Sequence, residues 1–129
     1  MLRPVAVVLL AFAWLSPAHA QTQADLNDEA CADRDAADRA LNTTYRRAVA
    51  EADGVRAKRG LRDAQRAWIG FRDAHTAALF PVPVGSTARA QYGSIYSMRL
   101  CAAQAAVTRA RTEQFLARLD CEEGDFCDE

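Results

Sequence analysis

The chain has 129 residues, half of them hydrophobic, and its 16 basic and 17 acidic side chains leave a formal net charge of −1. This length is typical of a single domain. The near-neutral charge, without a basic stripe, excludes the electrostatic pattern of a nucleic-acid-binding protein.

The first twenty residues predict a cleaved export signal. Arg3 precedes an apolar run from Val5 to Leu15, and Ala18-His19-Ala20 supplies small residues at the cleavage positions. The apolar run is too short to cross a bilayer. We therefore expect a mature chain that starts at Gln21, lacks a membrane span and is periplasmic or secreted.

Three long helices account for the mature chain, and no stretch shows the alternation of a β-strand. Asp53-Gly54 is expected to end the first helix, and Pro81 and Pro83 to prevent the second from continuing. The first helix is expected over Leu26 to Ala52 and the second over Val55 to Leu79. The third is expected to begin between Thr87 and Ser94 and to end at Leu119. The sequence predicts an all-α, up-down-up three-helix bundle over residues 21–119, followed by an acidic tail over 120–129.

A mixed stripe on the second helix indicates packing that includes polar groups. At helical spacing one face carries Leu61, Ala64, Trp68, Phe71, His75 and Leu79. His75, the sole histidine after signal cleavage, is expected to face the core. The alternative is a pH-sensitive contact near the proline-rich loop.

Polar residues that lie on helix-facing stripes predict a hydrogen-bonded network across the bundle, because buried polar groups need partners. The proposed pairing joins Asp38 to Arg72 or Arg111, with an arginine stacked on Trp68. The alternative is that these groups open onto a functional surface groove. The predicted members are Asp38, Asn42, Tyr45, Gln65, Trp68, Arg72 and Arg111.

The four cysteines of an exported chain predict two disulfides. In an up-down-up bundle the first and third helices are parallel, so Cys31 and Cys101 lie near the same end. Cys101 and Cys121 would be about 30 Å apart along one helix, too far for a bridge. The predicted pairs are Cys31–Cys101, which staples two helices, and Cys121–Cys127, which closes a small acidic loop.

Two surface segments are candidates for binding a partner protein. The loop from Pro81 to Gly93 is stiffened by proline and carries residue types common at binding hot spots. The acidic tail could attract a cationic partner. The alternatives are a plain interhelical connector and a solvated chain end. The candidate contacts are Ser86, Arg89, Tyr92, Glu122, Glu123 and Asp125.

No residue pattern indicates catalysis, a metal site or a cofactor. Glycoside cleavage would need two carboxyl groups facing each other across a cleft, and the helix stripes present only Asp38 as an inward acid. His75 has no convergent ligands for a metal, and no motif places a serine beside it as a nucleophile. The sequence therefore predicts a protein that is not an enzyme.

The distinctive segments of the chain are Asp38-x-x-Leu-Asn-x-x-Tyr45, Leu61-x-x-Ala-Gln-Arg-Ala-Trp-x-x-Phe-Arg-Asp-Ala74, Gly85-Ser86, Cys101 and Thr108-x-x-Arg111. Together these segments resemble the LprI family of small secreted lysozyme-inhibitor-like domains. The family usually has a cysteine where this chain has His75, and another upstream of Cys31. The resemblance implies an exported binding protein that blocks a lysozyme-type muramidase by steric and electrostatic occlusion. Its partner would be a cationic lysozyme; the alternative is an envelope adaptor that binds another envelope protein and inhibits no enzyme.

Overall fold

The computed structural model describes residues 21–121. The predicted signal peptide and the tail residues Glu122, Glu123, Asp125 and Cys127 lie outside the described residues. Within the described part all regular secondary structure is helical. The helices are α1 (Gln23–Glu51), α2 (Gly54–Leu79), the short α3 (Ala88–Tyr92) and α4 (Tyr96–Leu119), with a 3₁₀ turn (Gly93–Ile95) between α3 and α4.

The ends of these helices follow from local sequence. At the start of α1, Asp25 N–H donates to the Thr22 hydroxyl (3.2 Å) and Thr22 N–H donates to the Asp25 carboxylate (2.8 Å), which forms a capping box. Gly54 opens α2 with φ +76°, and Gly93 breaks α3 from α4 with φ +69°. Both conformations favour glycine, so each interruption is encoded by a single residue.

The long helices form the predicted up-down-up arrangement. Asn27, near the start of α1, donates to the Ser94 carbonyl (3.0 Å) and accepts from Met98 N–H (3.1 Å), at the start of α4. Near the other end the rings of Tyr45 and Phe115 lie 5.7 Å apart. α1 and α4 are therefore parallel, and α2 runs antiparallel to both.

The predicted staple between the parallel helices is confirmed. Cys31 in α1 and Cys101 in α4 form a disulfide across a sequence separation of 70 residues. Beside it, small residues let the two helices approach closely: Ala37 is 5% exposed, and Ala105 and Thr108 are completely buried. Cys121 is also disulfide-bonded. Its pairing with Cys127 stays a prediction.

A larger apolar cluster fills the opposite end of the bundle. Leu41 and Ala48 of α1 pack there with Leu61 of α2 and Phe115 of α4. The half-buried residues around them are Tyr45, Val49, Ala52, Trp68 and Leu119. The two ends of the bundle are therefore stabilised differently. A disulfide flanked by small residues holds the end near Cys31, and packing of large apolar side chains holds the end near Phe115.

Helix α2 turns a different face to the core from the one predicted. Phe71 is 57% exposed and Leu79 50%, and His75 is exposed with its ring stacked on Phe71 at 5.4 Å. The prediction of a core-facing His75 was wrong. Ala64, also placed on the predicted stripe, is exposed. From Leu61 onward, the residues that α2 buries wholly or partly are Leu61, Gln65, Trp68, Arg72 and Thr76.

Hydrogen bonding explains why α2 buries a different face from the predicted one. The predicted and observed stripes both use spacings of three and four residues, so hydrophobic periodicity cannot separate them. The observed face brings Arg72 to Asp38 and Gln65 to Arg111, while the Thr76 hydroxyl donates to the Arg72 carbonyl at 2.9 Å. Arg72, Gln65 and Thr76 each form a hydrogen bond on the observed face, while the apolar Phe71 remains in solvent.

Candidate functional site

The segment between α2 and α3 forms a projecting loop, here called the proline loop and defined as residues 81–87. Ser86 N–H donates to the Pro83 carbonyl at 3.0 Å, which closes a turn around Val84 and Gly85. Gly85 has φ +81°, as the third position of a type II turn requires. Val84 stands at the tip of this turn and is fully exposed.

An aromatic cluster anchors the base of the proline loop. Phe80 is 8% exposed, and its ring meets Tyr92 and Tyr96 edge-on, each at 5.8 Å. The Tyr92 hydroxyl donates to the Pro81 carbonyl at 2.7 Å. The guanidinium of Arg99 lies 5.5 Å from the Phe80 ring centre. The loop is therefore fixed where it leaves α2.

The far side of the loop is fixed as well, because the Thr87 hydroxyl accepts from Ala90 N–H (3.1 Å) and caps α3. Of the predicted contacts, Ser86 and Arg89 are exposed, whereas Tyr92 is half-buried and supports the loop from beneath. The sequence analysis missed Val84 at the tip. The sequence Pro-Val-Pro-Val-Gly-Ser contained the necessary signal, since glycine at the third turn position places the preceding residue at the apex.

The first turns of α1 carry acidic side chains at the same end of the bundle as the proline loop. Asp28 and Glu29 are exposed and form no ion pair within residues 21–121. Hydrogen bonds from the Thr22 hydroxyl and backbone N–H lower the pKa of Asp25. Asp33 pairs with Arg109 of α4. Cys121, the last described residue, lies at the opposite end, beside Ala48 and Ala52.

The predicted polar residues form two separate pairs. Arg72 contacts Asp38 at 3.4 Å, donates to Asp73 at 2.9 Å and lies 5.6 Å from the Trp68 ring centre. Asp38 therefore pairs with Arg72, one of the two partners proposed for it. With its side chain 21% exposed, Arg72 is the better-enclosed member of this pair.

The second pair joins α2 to α4. Arg111 Nε donates to Gln65 Oε1 at 3.3 Å, and Arg111 Nη1 donates to Gln114 at 2.8 Å. The guanidinium also lies 4.5 Å from the Phe115 ring centre. Burial lowers the pKa of Arg111. The side chains of Asn42 and Tyr45 make no hydrogen bond within residues 21–121, so the structure does not link them into this network.

A comparison with known protein families decides the identity of this helical domain. The family model described as "Lysozyme inhibitor LprI" matches residues 16–115. The chain belongs to the LprI family. No curated protein and no solved structure gives a significant match to it.

LprI membership is consistent with a protein that is not an enzyme, since the family is one of inhibitors. Among residues 21–121, no group of three or more histidine, cysteine or acidic side chains is placed to hold a metal ion. No described helix is both long and apolar enough to cross a membrane. The family and the Cys31–Cys101 disulfide together indicate a location outside the cytoplasm.

Proposed function

We propose that this LprI-family domain is an exported binding protein that inhibits a lysozyme-type muramidase, with the proline loop as the part that obstructs the enzyme's cleft. The observation that carries the proposal is the family match over residues 16–115. Export into the periplasm or medium by the predicted signal peptide would bring the domain to the compartment where such enzymes act.

The geometry of the proline loop supports a steric mechanism. Its turn closure, the Tyr92 hydrogen bond to Pro81 and the Thr87 cap hold the loop in one shape before binding. A preordered loop loses less conformational entropy on association. Val84 at the tip offers an apolar contact, while Ser86 and Arg89 could contribute polar contacts beside it.

The distribution of charge also supports a complex in which the proline-loop end of the bundle faces the enzyme. Asp28 and Glu29 present unpaired negative charge at the loop end of the bundle. Complementary charge raises the association rate with a cationic protein and makes that rate sensitive to salt. The tail residues Glu122, Glu123 and Asp125 would add negative charge that raises the association rate without favouring the loop end. This mechanism needs no covalent step and no cofactor.

A pair of valines allows a matched test. Val84→Arg places bulk and positive charge at the loop tip, whereas Val55→Arg makes the same change at a site 79% exposed at the start of α2, at the opposite end. We expect Val84→Arg to weaken inhibition at least about tenfold, equivalent to about 1.4 kcal/mol. Val55→Arg should inhibit like the wild type. Equal inhibition by both variants would exclude the loop as the inhibitory element.

An envelope adaptor is the second candidate, and one observation favours it. Phe71 and Leu79 are 57% and 50% exposed on the outer face of α2, which is unusual for large apolar side chains in a small domain. A partner protein covering this face would leave muramidase activity unaffected. Phe71→Ser separates the two functions, because it should preserve lysozyme inhibition and abolish adaptor binding.

A further inference from the structure

A groove between α1 and α2 contains hydrogen-bond donors that the fold leaves unused. A cavity of about 330 Å³ opens between Asn42 and Tyr45 on α1 and Gln65 and Ile69 on α2. A second recess of about 540 Å³ continues along α1 from the same Asn42 and Tyr45. Each recess taken alone falls within the size range of small-ligand sites. We call this pair of recesses the arginine groove.

Gln65 supplies the observation that points to a ligand. Its side chain is 93% buried, and its amide oxygen accepts from Arg111. Arginine only donates, so this bond fixes the orientation of the amide and directs its NH₂ group away from Arg111. That nitrogen donates no hydrogen bond within residues 21–121, and it is not a fully buried atom, so it is accessible from the groove that Gln65 lines. An acceptor on a ligand can therefore take this hydrogen bond in place of water.

Four arginines surround these donors. Arg39 and Arg46 line the α1 side, and Arg62 and Arg66 line the α2 side. Arg66 pairs with Asp63 at 2.7 Å, but the other three form no ion pair with any carboxylate of residues 21–121. Arg62 and Arg66 are also four residues apart on one helix, a spacing at which like charges repel. This local cost is offset where an anion lies between them.

From this arrangement we infer that the arginine groove binds a short acidic peptide. Carboxylates match the planar fork of arginine, and peptide carbonyls match the amide donors of Gln65 and Asn42. Ile69 is 41% exposed at the rim and offers apolar contact, which suits an organic ligand better than inorganic phosphate. The site lies outside the proline loop and uses the opposite charge, so it is distinct from the proposed lysozyme contact.

Titration calorimetry at low salt tests the inference with triglutamate, triglutamine and inorganic phosphate as probes. Triglutamate should bind saturably, and the other two should bind at least about tenfold more weakly. Absence of saturable triglutamate binding would overturn the proposal. Equal affinity for triglutamine would overturn it too, because the site would then not recognise the carboxylates. Equal affinity for phosphate would also overturn it, because the site would then not recognise the peptide backbone.

Matched variants locate the binding. Arg62→Gln with Arg66→Gln should weaken triglutamate binding at least about tenfold. The control, Arg56→Gln with Arg59→Gln, removes the same charge from exposed positions of the same helix outside the groove and should change affinity less than about twofold. Equal losses in both pairs would show attraction by net charge alone and would refute a defined site.

Gln65→Glu distinguishes binding from a structural role. A carboxylate at this position keeps an acceptor for Arg111 and strengthens that contact, so the melting temperature should not fall. The same carboxylate replaces the free NH₂ donors and repels an anionic peptide, so triglutamate affinity should fall. Unchanged affinity in a folded Gln65→Glu variant would contradict the inference.

Discussion

Removing the disulfide between α1 and α4 is predicted to destabilise the domain strongly. The perturbation is Cys31→Ala with Cys101→Ala, which leaves the disulfide of Cys121 intact under oxidising conditions. Alanine is suitable because Cys101 is 3% exposed and a serine hydroxyl there would be buried. The variant also loses the contact in which Arg34 Nη1 donates to Cys101 Sγ at 3.5 Å.

The magnitude follows from the length of the closed loop. A bridge across 70 residues restricts the unfolded chain by about 4 kcal/mol in the chain-entropy model. For a domain of this size each kcal/mol shifts the melting temperature by about 4–8 °C. The variant should therefore unfold about 15–30 °C below the wild type.

The assay is urea unfolding followed by far-ultraviolet circular dichroism, with wild type and variant both kept oxidised. The free energy of unfolding in water should fall by about 4 kcal/mol, with a larger dependence on urea because the unfolded variant is more expanded. A loss below about 1 kcal/mol would refute the reasoning. It would mean that residual structure already restricts the unfolded chain without the bridge, so that the bridge adds little.

Two further predictions concern groups whose environment the structure defines closely. Thr108 is completely buried, and its hydroxyl oxygen has no hydrogen-bond partner among residues 21–121. Thr108→Val should therefore raise the free energy of unfolding by about 1 kcal/mol. A destabilised Thr108→Val variant would contradict this prediction. The hydrogen bonds with Thr22 lower the pKa of Asp25. The Asp25 carboxylate therefore stabilises the fold at pH values above its ordinary pKa, and this stabilisation is lost as the pH falls through the lowered pKa. Asp25→Asn should therefore be less stable than wild type at pH 6 in thermal unfolding, and the difference should shrink as the pH falls below the ordinary value of 3.8. A pH-independent difference would argue against the capping-box assignment.

The sequence was sufficient to predict the helices and the disulfide because their determinants are local or geometric. Gly54, with its positive φ, separates α1 from α2, and the prolines of the proline loop prevent α2 from continuing. Once three helices are placed, the first and third are parallel, and Cys101 is then the cysteine that lies near the same end as Cys31. The short α3 and the break at Gly93 were not predicted, since the sequence analysis placed only one helix start between Thr87 and Ser94.

The sequence predicted Gln65, Trp68 and Arg72 of α2 as helix-facing, but the apolar pattern alone could not decide the orientation of this helix. Its two alternative stripes share Leu61 and Trp68, and the choice between them depends on Asp38 and Arg111, which lie on other helices. Hydrophobicity favoured the face with Phe71, whereas pairing of polar groups favoured the face with Gln65. Tertiary hydrogen bonding decided the outcome, and the same orientation of α2 places Gln65 both in its pair with Arg111 and in the lining of the arginine groove.

The most direct test of the proposed function is a titration of the oxidised mature protein, residues 21–129, into lysozymes of several classes. Cell-wall lysis would be followed at low and moderate salt. The account predicts saturable inhibition of at least one lysozyme near an equimolar ratio, weaker at moderate salt, and lost in Val84→Arg but retained in Val55→Arg. A folded sample that inhibits none of them at either salt concentration would contradict the proposed inhibition and favour the envelope-adaptor function.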